Sequence, residues 1–244
     1  MNRLSRVAAI PLAPILLVQA RHLRRSIPRL ADAALPWTGA LAGQNPIRLL
    51  VLGDSTAAGV GAATQDDALP GNLARELKHR TGRGTDWTAV GENGATARDL
   101  LERYIDAVTS VPYDLVFLTV GANDALGLRS RSEFSRDVRE LVGRLRTASP
   151  DALILVSLMP RFDRFSSLLN PLRWNLALHA ASLDDGARAA VADLNRVFAI
   201  PKPPPYNEAF WASDGFHPSA AGYRDWITFA LGSVPAELLE ASFS

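Results

Sequence analysis

Apolar residues along this chain fall into two periodicities that alternate. The run I-R-L-L-V-L at 47–52 stops abruptly at Gly53-Asp54-Ser55 and gives way to small residues. A short apolar run bounded by turn residues predicts a strand buried on both faces, as in the first strand of a parallel sheet. Similar runs lie at 86–90, 114–120 and 152–158, with a shorter one at 196–200. Between them the apolar positions recur at helical spacing. Residues 69 to about 79 open with Pro70 in the first turn and close on Lys78-His79-Arg80, which suit the two ends of a helix dipole. Residues 96–108 carry Leu100, Leu101, Tyr104 and Ile105 on one face, and 131–147 carry Phe134, Val138, Leu141, Val142 and Leu145. A long helical stretch follows from about 172 to 194, with a break near Asp184-Asp185-Gly186 as one reading, and a last helix covers 219 to about 231. Strands alternating with helices predict a parallel sheet covered on both faces, a three-layer α/β/α sandwich. The prolines of 201–205 cannot pair inside a sheet, so the chain leaves it there.

The first 45 residues break this pattern. Two arginines in 1–6 precede an almost wholly apolar stretch, V-A-A-I-P-L-A-P-I-L-L-V-Q-A, and then come Arg21, Arg24, Arg25 and Arg29. The apolar stretch falls short of the roughly 20 residues that span a bilayer, and Pro11 and Pro14 interrupt it. Three readings stand: an interfacial anchor through residues 1–30, an export signal ending near Val18-Gln19-Ala20, or a helical extension packed on the domain. They imply a membrane-associated, an exported and a cytoplasmic protein respectively. Residues 36–46, with Gly39 and Gly43, read as a linker. The expected organisation is therefore an extension and linker over 1–45, one domain over 46–235 and a tail over 236–244.

Composition narrows the chemistry. Over 244 residues, 48% are hydrophobic and 21% charged, ordinary values for one globular domain, and a net charge of +1 offers no field for nucleic acid. No cysteine is present, which excludes disulfides, thiolate catalysis and cysteine metal sites. Only four histidines exist, His22, His79, His179 and His217, so the search for a general base is short. His79 is accounted for at a helix end, and His179 falls inside a helix.

Each unusual turn follows the carboxyl end of a predicted strand, the edge where open α/β sheets bind ligands. Ser55, Gly94, Asn123 and the segment Asp214-Gly215-Phe216-His217-Pro218 therefore converge there. Ser55 is a candidate nucleophile and His217 a base for it, while Asp214, three residues earlier, can orient the imidazole. The N–H groups of Ser55 and Gly94 and the amide of Asn123 are candidate oxyanion donors. Met159, Phe162 and Phe165 follow the fourth strand on the same edge and, with Phe216, are candidate walls of a substrate pocket. Asp54 and Asp124 read as turn-stabilising groups, and Trp211 and Trp226 as core. A nucleotide-binding reading fails, because no glycine-rich phosphate loop follows the first strand.

Taken together, Gly53-Asp54-Ser55, Gly94 within E-N-G-A-T, Gly121-Ala122-Asn123-Asp124 and Asp214 to Pro218 resemble the four blocks of the SGNH hydrolases, the GDSL esterase/lipase superfamily. The blocks occur in the family's order, and the likeness spans about 47–231. Either Gly91 or Gly94 can be the second block's glycine; Asn93-Gly94 followed by Thr96 looks more like the family's turn. The resemblance implies a flavodoxin-like fold with a five-stranded parallel sheet. It also implies metal-free, cofactor-free ester hydrolysis through an acyl-enzyme, with Ser55, His217 and Asp214 as nucleophile, base and acid. The expected substrate is a small-molecule or lipid ester; a deacetylase of sugars or cell-envelope polymers stays open, and a non-catalytic binding module of the same fold is the competing reading.

Overall fold

A computed structural model describes residues 11–243 apart from 27, 166 and 205; the side chains of 23, 24 and 26 are also outside the description. The apolar N-terminal stretch is therefore described only from residue 11 onward. The chain runs α1 (Ala13–Ser26), β1 (Thr38–Leu41), β2 (Gln44–Gly53), α2 (Leu69–Thr81), β3 (Arg83–Gly91), α3 (Ala97–Arg103) and α4 (Ile105–Val108). It continues through β4 (Leu115–Thr119), α5 (Ala122–Leu126), α6 (Arg131–Ala148), β5 (Leu153–Ser157), α7 (Leu172–Val191), β6 (Val197–Ala199), α8 (Ala220–Gly232) and α9 (Ala236–Phe243).

The sheet order is β1-β3-β2-β4-β5-β6. Strands β2 to β6 pair in parallel, in the doubly wound order of flavodoxin-like folds, and β1 adds an antiparallel edge beside β3. Because side chains alternate along a strand, each central strand feeds two cores. Leu50, Leu52, Val116, Leu118, Ile154 and Val156 pack with α3, α6 and α7 on one face. Leu49, Val51, Leu115, Phe117, Leu153 and Leu155 pack with α2, α8 and α9 on the other. Every residue of β4 and β5 is buried, which is why these strands read as unbroken apolar runs.

Four expectations need correction. The supposed linker contains β1, whose Gly39 lies against the Trp87 ring so closely that a Cβ would sit 2.3 Å from it. A T-G-A-L segment has no apolar alternation; pairing with β3 makes it a strand. The supposed tail is α9, which buries Leu239 and Phe243 and whose Phe243 carbonyl accepts from Arg83 Nη1 at 3.0 Å. The helix predicted over 96–108 is divided at Tyr104, where φ is −123°. The break at Asp184-Asp185-Gly186 does not occur. Asp184 is fully buried but paired with Arg188 one turn on at 2.7 Å, and Gly186 lies in the α6–α7 contact, where a Cβ would come within 2.5 Å of Ser135 Oγ.

Candidate active site

The end of β2 sets the first part of the site. Beyond Gly53 the chain turns sharply, held by Asp54, whose Oδ1 accepts from Thr56 N at 3.0 Å and from Thr56 Oγ1 at 2.9 Å. Ala58 N donates to Asp54 O and Val60 N to Ser55 O, so Ser55 stands on a helical turn at the carboxyl edge of the central strand. Burial pushes the Asp54 carboxyl above its ordinary range against those bonds. Asp54 thus holds the turn, and Thr56 Oγ1 carries the tie on to Thr119 Oγ1 at 2.9 Å, at the end of β4.

The histidine arrives on the loop between β6 and α8. That loop closes on itself: Ala212 N donates to His217 O, Gly215 N to Ala212 O and Ser219 N to Phe210 O. Asp214 Oδ1 accepts from the amides of Phe216 at 2.9 Å and His217 at 3.0 Å, an Asx-type turn that fixes the carboxylate against its own loop. Its other oxygen, Oδ2, lies 2.6 Å from His217 Nδ1, and His217 Nε2 lies 2.9 Å from Ser55 Oγ. Burial by itself would raise the Asp214 carboxyl, but the imidazole and the two amides outweigh it and hold the group below its ordinary value.

Two contacts bring this loop onto the serine turn. Tyr223, fully buried in the first turn of α8, donates its hydroxyl to Val60 O at 2.7 Å. Gly61, with φ +96°, lets the Pro218 carbonyl approach to where a Cβ would sit 2.2 Å away. Any side chain there would push the histidine loop off the serine turn.

The oxyanion candidates come from strands flanking β2. Gly94 follows β3, and Asn123 lies in α5, just past β4. Asn123 Nδ2 donates to Ala95 O at 2.9 Å, and Asp124 Oδ2 accepts from Ala97 N at 3.0 Å, so two adjacent residues stitch the loops together. The structure separates the two glycines that the sequence left open. Gly91 pairs with Gly53 in the ladder, and a Cβ on it would lie 2.7 Å from Ala58 N. Gly94 has φ +94° and open space where its Cβ would be. Gly91 is thus consumed by packing, while the Gly94 backbone can be approached from outside.

Ser55 and His217 open into a pocket whose walls include Met159, Phe165, Tyr206, Phe210, Trp211 and Phe216. The rings interlock: Phe165 lies 4.8 Å from both Trp211 and Phe216, and Tyr206 stacks on Phe210 at 3.4 Å. Of the four pocket residues expected, Phe162 is the exception. It is buried behind Phe165 at a ring distance of 5.3 Å and does not line the pocket. Trp211, read from the sequence as core, belongs to the wall, as does Trp226, while Tyr206, Phe210 and Arg161 went unsuspected. An aromatic in an aperiodic loop carries no sequence signal separating wall from core; what separates them is that Tyr206, Phe210 and Trp211 come back to line the same pocket as Ser157 and Met159 at the end of β5.

Among the described residues no group of three or more His, Asp or Glu side chains could hold a metal ion. A model of the GDSL-like lipase/acylhydrolase family matches residues 51–224. The GDSL-like esterase Rv1075c of Mycobacterium tuberculosis is 29% identical over 253 residues, covering 93% of this chain and 78% of its own. Among solved structures, the Clostridium thermocellum family 3 carbohydrate esterase is similar with a TM-score of 0.62 at 16% identity, over 82% of this chain and 100% of that one. Phospholipase A1 from Streptomyces albidoflavus gives 0.55 at 19% identity, over 78% and 100%. At such identities the two structures speak for the fold alone, which they share over 82% and 78% of this chain. The family match is more specific, since it runs through all four motif turns and most of the chain. This chain belongs to the GDSL-like lipase/acylhydrolase family and is an ester-hydrolysing enzyme.

Proposed function

We propose that the protein hydrolyses carboxylic esters of apolar acyl groups through an acyl-enzyme formed on Ser55. The observation that carries the reading is the Ser55–His217–Asp214 chain, at 2.9 and 2.6 Å, opening into an aromatic pocket. Ser55 Oγ attacks the ester carbonyl while His217 Nε2 takes its proton and then passes it to the leaving alcohol. Asp214 keeps the Nδ1–H tautomer, so that Nε2 faces the serine as an acceptor, and its negative charge stabilises the imidazolium. The oxyanion is met by the N–H groups of Ser55 and Gly94 and by the Asn123 amide. Water, activated by the same imidazole, then attacks the acyl-enzyme, releases the acid and restores Ser55. The acyl chain lies against Met159, Phe165, Trp211 and Phe216, because these are large apolar side chains in the wall of the pocket that Ser55 and His217 share and can bury methylenes at about 0.8 kcal/mol each.

The test is turnover of p-nitrophenyl esters from acetate to palmitate by the wild type and by Ser55→Ala. The wild type is expected to favour one range of apolar acyl chains, and the variant to lose about a thousandfold or more of kcat. Equal activity in the two proteins would overturn Ser55 as nucleophile.

A further inference from the structure

The outer face of α1 is polarised along its length. Leu16 and Ala20 face inward onto the core, while Ile15, Leu17 and Val18 are exposed in its first half and Arg21, His22 and Arg25 in its second. Gln19 ties the helix to the start of α7: its Nε2 donates to Asn170 O at 2.7 Å, and its Oε1 accepts from Leu172 N at 3.0 Å. Around that tie the neighbouring chain is apolar and exposed as well. Leu169 precedes Asn170, and Trp174 and Leu178 share one face of α7 a turn apart, Trp174 being 66% exposed. Nine large hydrophobic residues are exposed among the described residues, and six of them lie on α1 or within 169–178, the two segments that Gln19 ties together. Isolated exposed apolar residues need no explanation; a cluster spanning two elements does.

The charge beside the cluster is of a single sign. The first 31 residues contain six arginines and no acidic residue, the first being Asp32. Arg21, Arg25 and Arg29 are exposed on and just beyond the basic half of α1. Apolar side chains next to a row of cations match a bilayer surface, where hydrocarbon lies beneath anionic headgroups. No described helix is long and apolar enough to cross a membrane. The junction also borders the active site. Phe165 of the pocket wall lies four residues before Leu169, and Ser167 Oγ donates to the carbonyl of Gly215, between Asp214 and His217, at 3.4 Å.

We propose that α1 and the start of α7 form a docking surface for an anionic lipid bilayer, which brings the pocket mouth to the membrane. Leu17, Val18, Leu169 and Trp174 enter the acyl boundary, and Arg21, Arg25 and Arg29 meet the headgroups. Docking does not depend on the acyl-enzyme reading, so Ser55→Ala protein binds as the wild type does.

The experiment is co-sedimentation of the full chain with phosphatidylglycerol or phosphatidylcholine vesicles, with p-nitrophenyl acetate hydrolysis as the check on folding. The wild type is expected to bind phosphatidylglycerol vesicles, and less so as salt is raised. Replacing Arg21 and Arg25 together by serine should weaken this about 30-fold, about fivefold for each surface charge. Val18→Ser with Trp174→Ser should weaken it about tenfold or more, and both pairs should keep hydrolysis of the soluble ester. Binding to neither vesicle, or binding indifferent to both pairs, would overturn the proposal. So would concentration-dependent self-association abolished by Val18→Ser with Trp174→Ser, which would assign the face to a second copy of the chain.

Discussion

Replacing Asp214 by asparagine makes the sharpest test of how the histidine is held, because the loop leaves the new amide only one orientation. Asp214 Oδ1 accepts two backbone N–H groups, from Phe216 and His217. An asparagine must keep its carbonyl oxygen there, since the alternative sets its NH2 against two donors. The NH2 then occupies the place of Oδ2, 2.6 Å from His217 Nδ1. A donor facing Nδ1 forces that nitrogen to accept and moves the ring proton to Nε2, which points at Ser55 Oγ. The imidazole can no longer take the serine proton, and the charge that would stabilise the imidazolium is gone. A wrong tautomer of this kind costs about 10⁴ in kcat, or about 5 kcal/mol of transition-state stabilisation. The fold should survive, because the turn keeps both backbone bonds. The assay is kcat and KM for the preferred p-nitrophenyl ester, with thermal unfolding of both proteins alongside. A folded Asp214→Asn enzyme within about tenfold of wild-type kcat would refute the assignment of the tautomer to Asp214, since even one decade corresponds to only about 1.4 kcal/mol.

Two other outcomes follow from the neighbouring turns. An amide carries two N–H bonds and the Ala95 carbonyl takes one, so Asn123→Ala should lower kcat about 100- to 1000-fold with a smaller change in KM; an unchanged kcat would remove Asn123 from the oxyanion site. Asp124 is fully buried, and burial raises its carboxyl from 3.8 to about 6 against the Ala97 amide and Arg129. A folded-state value above the unfolded one means that folding favours the protonated form. Its contribution is therefore fully present below pH 4 and is lost as pH rises through 6, about 3 kcal/mol in all. Asp124→Asn should flatten the fall in stability between pH 4 and 7 seen by denaturant unfolding; an unaltered slope would show that Asp124 does not titrate in that window.

The sequence alone determined the doubly wound core, because strands buried on both faces leave unbroken apolar runs and amphipathic helices leave a 3.6-residue stripe. It also determined which turns lie at the ligand edge, since parallel strands put all their carboxyl ends on one side. Ser55 and Asn123 were legible for that reason, each being a polar residue in a small-residue turn just after a strand, and Asp214 and His217 as a D-x-x-H pair on the loop between β6 and α8. Tertiary structure decided the rest. Gly91 and Gly94 look alike in sequence and differ only in that one is pressed against Ala57 and Ala58 while the other stands open. β1 and α9 are too short, or too poor in apolar residues, to declare themselves, and exist through what they pair with or bury. Asp184 and Gly186 read as a break and instead hold a continuous helix, because Arg188 neutralises the one and α6 needs the absent side chain of the other. The pocket was the least legible feature: whether Phe162, Trp211 or Tyr206 faces the pocket or the core depends on how loops distant in sequence come together, and local periodicity carries no record of that.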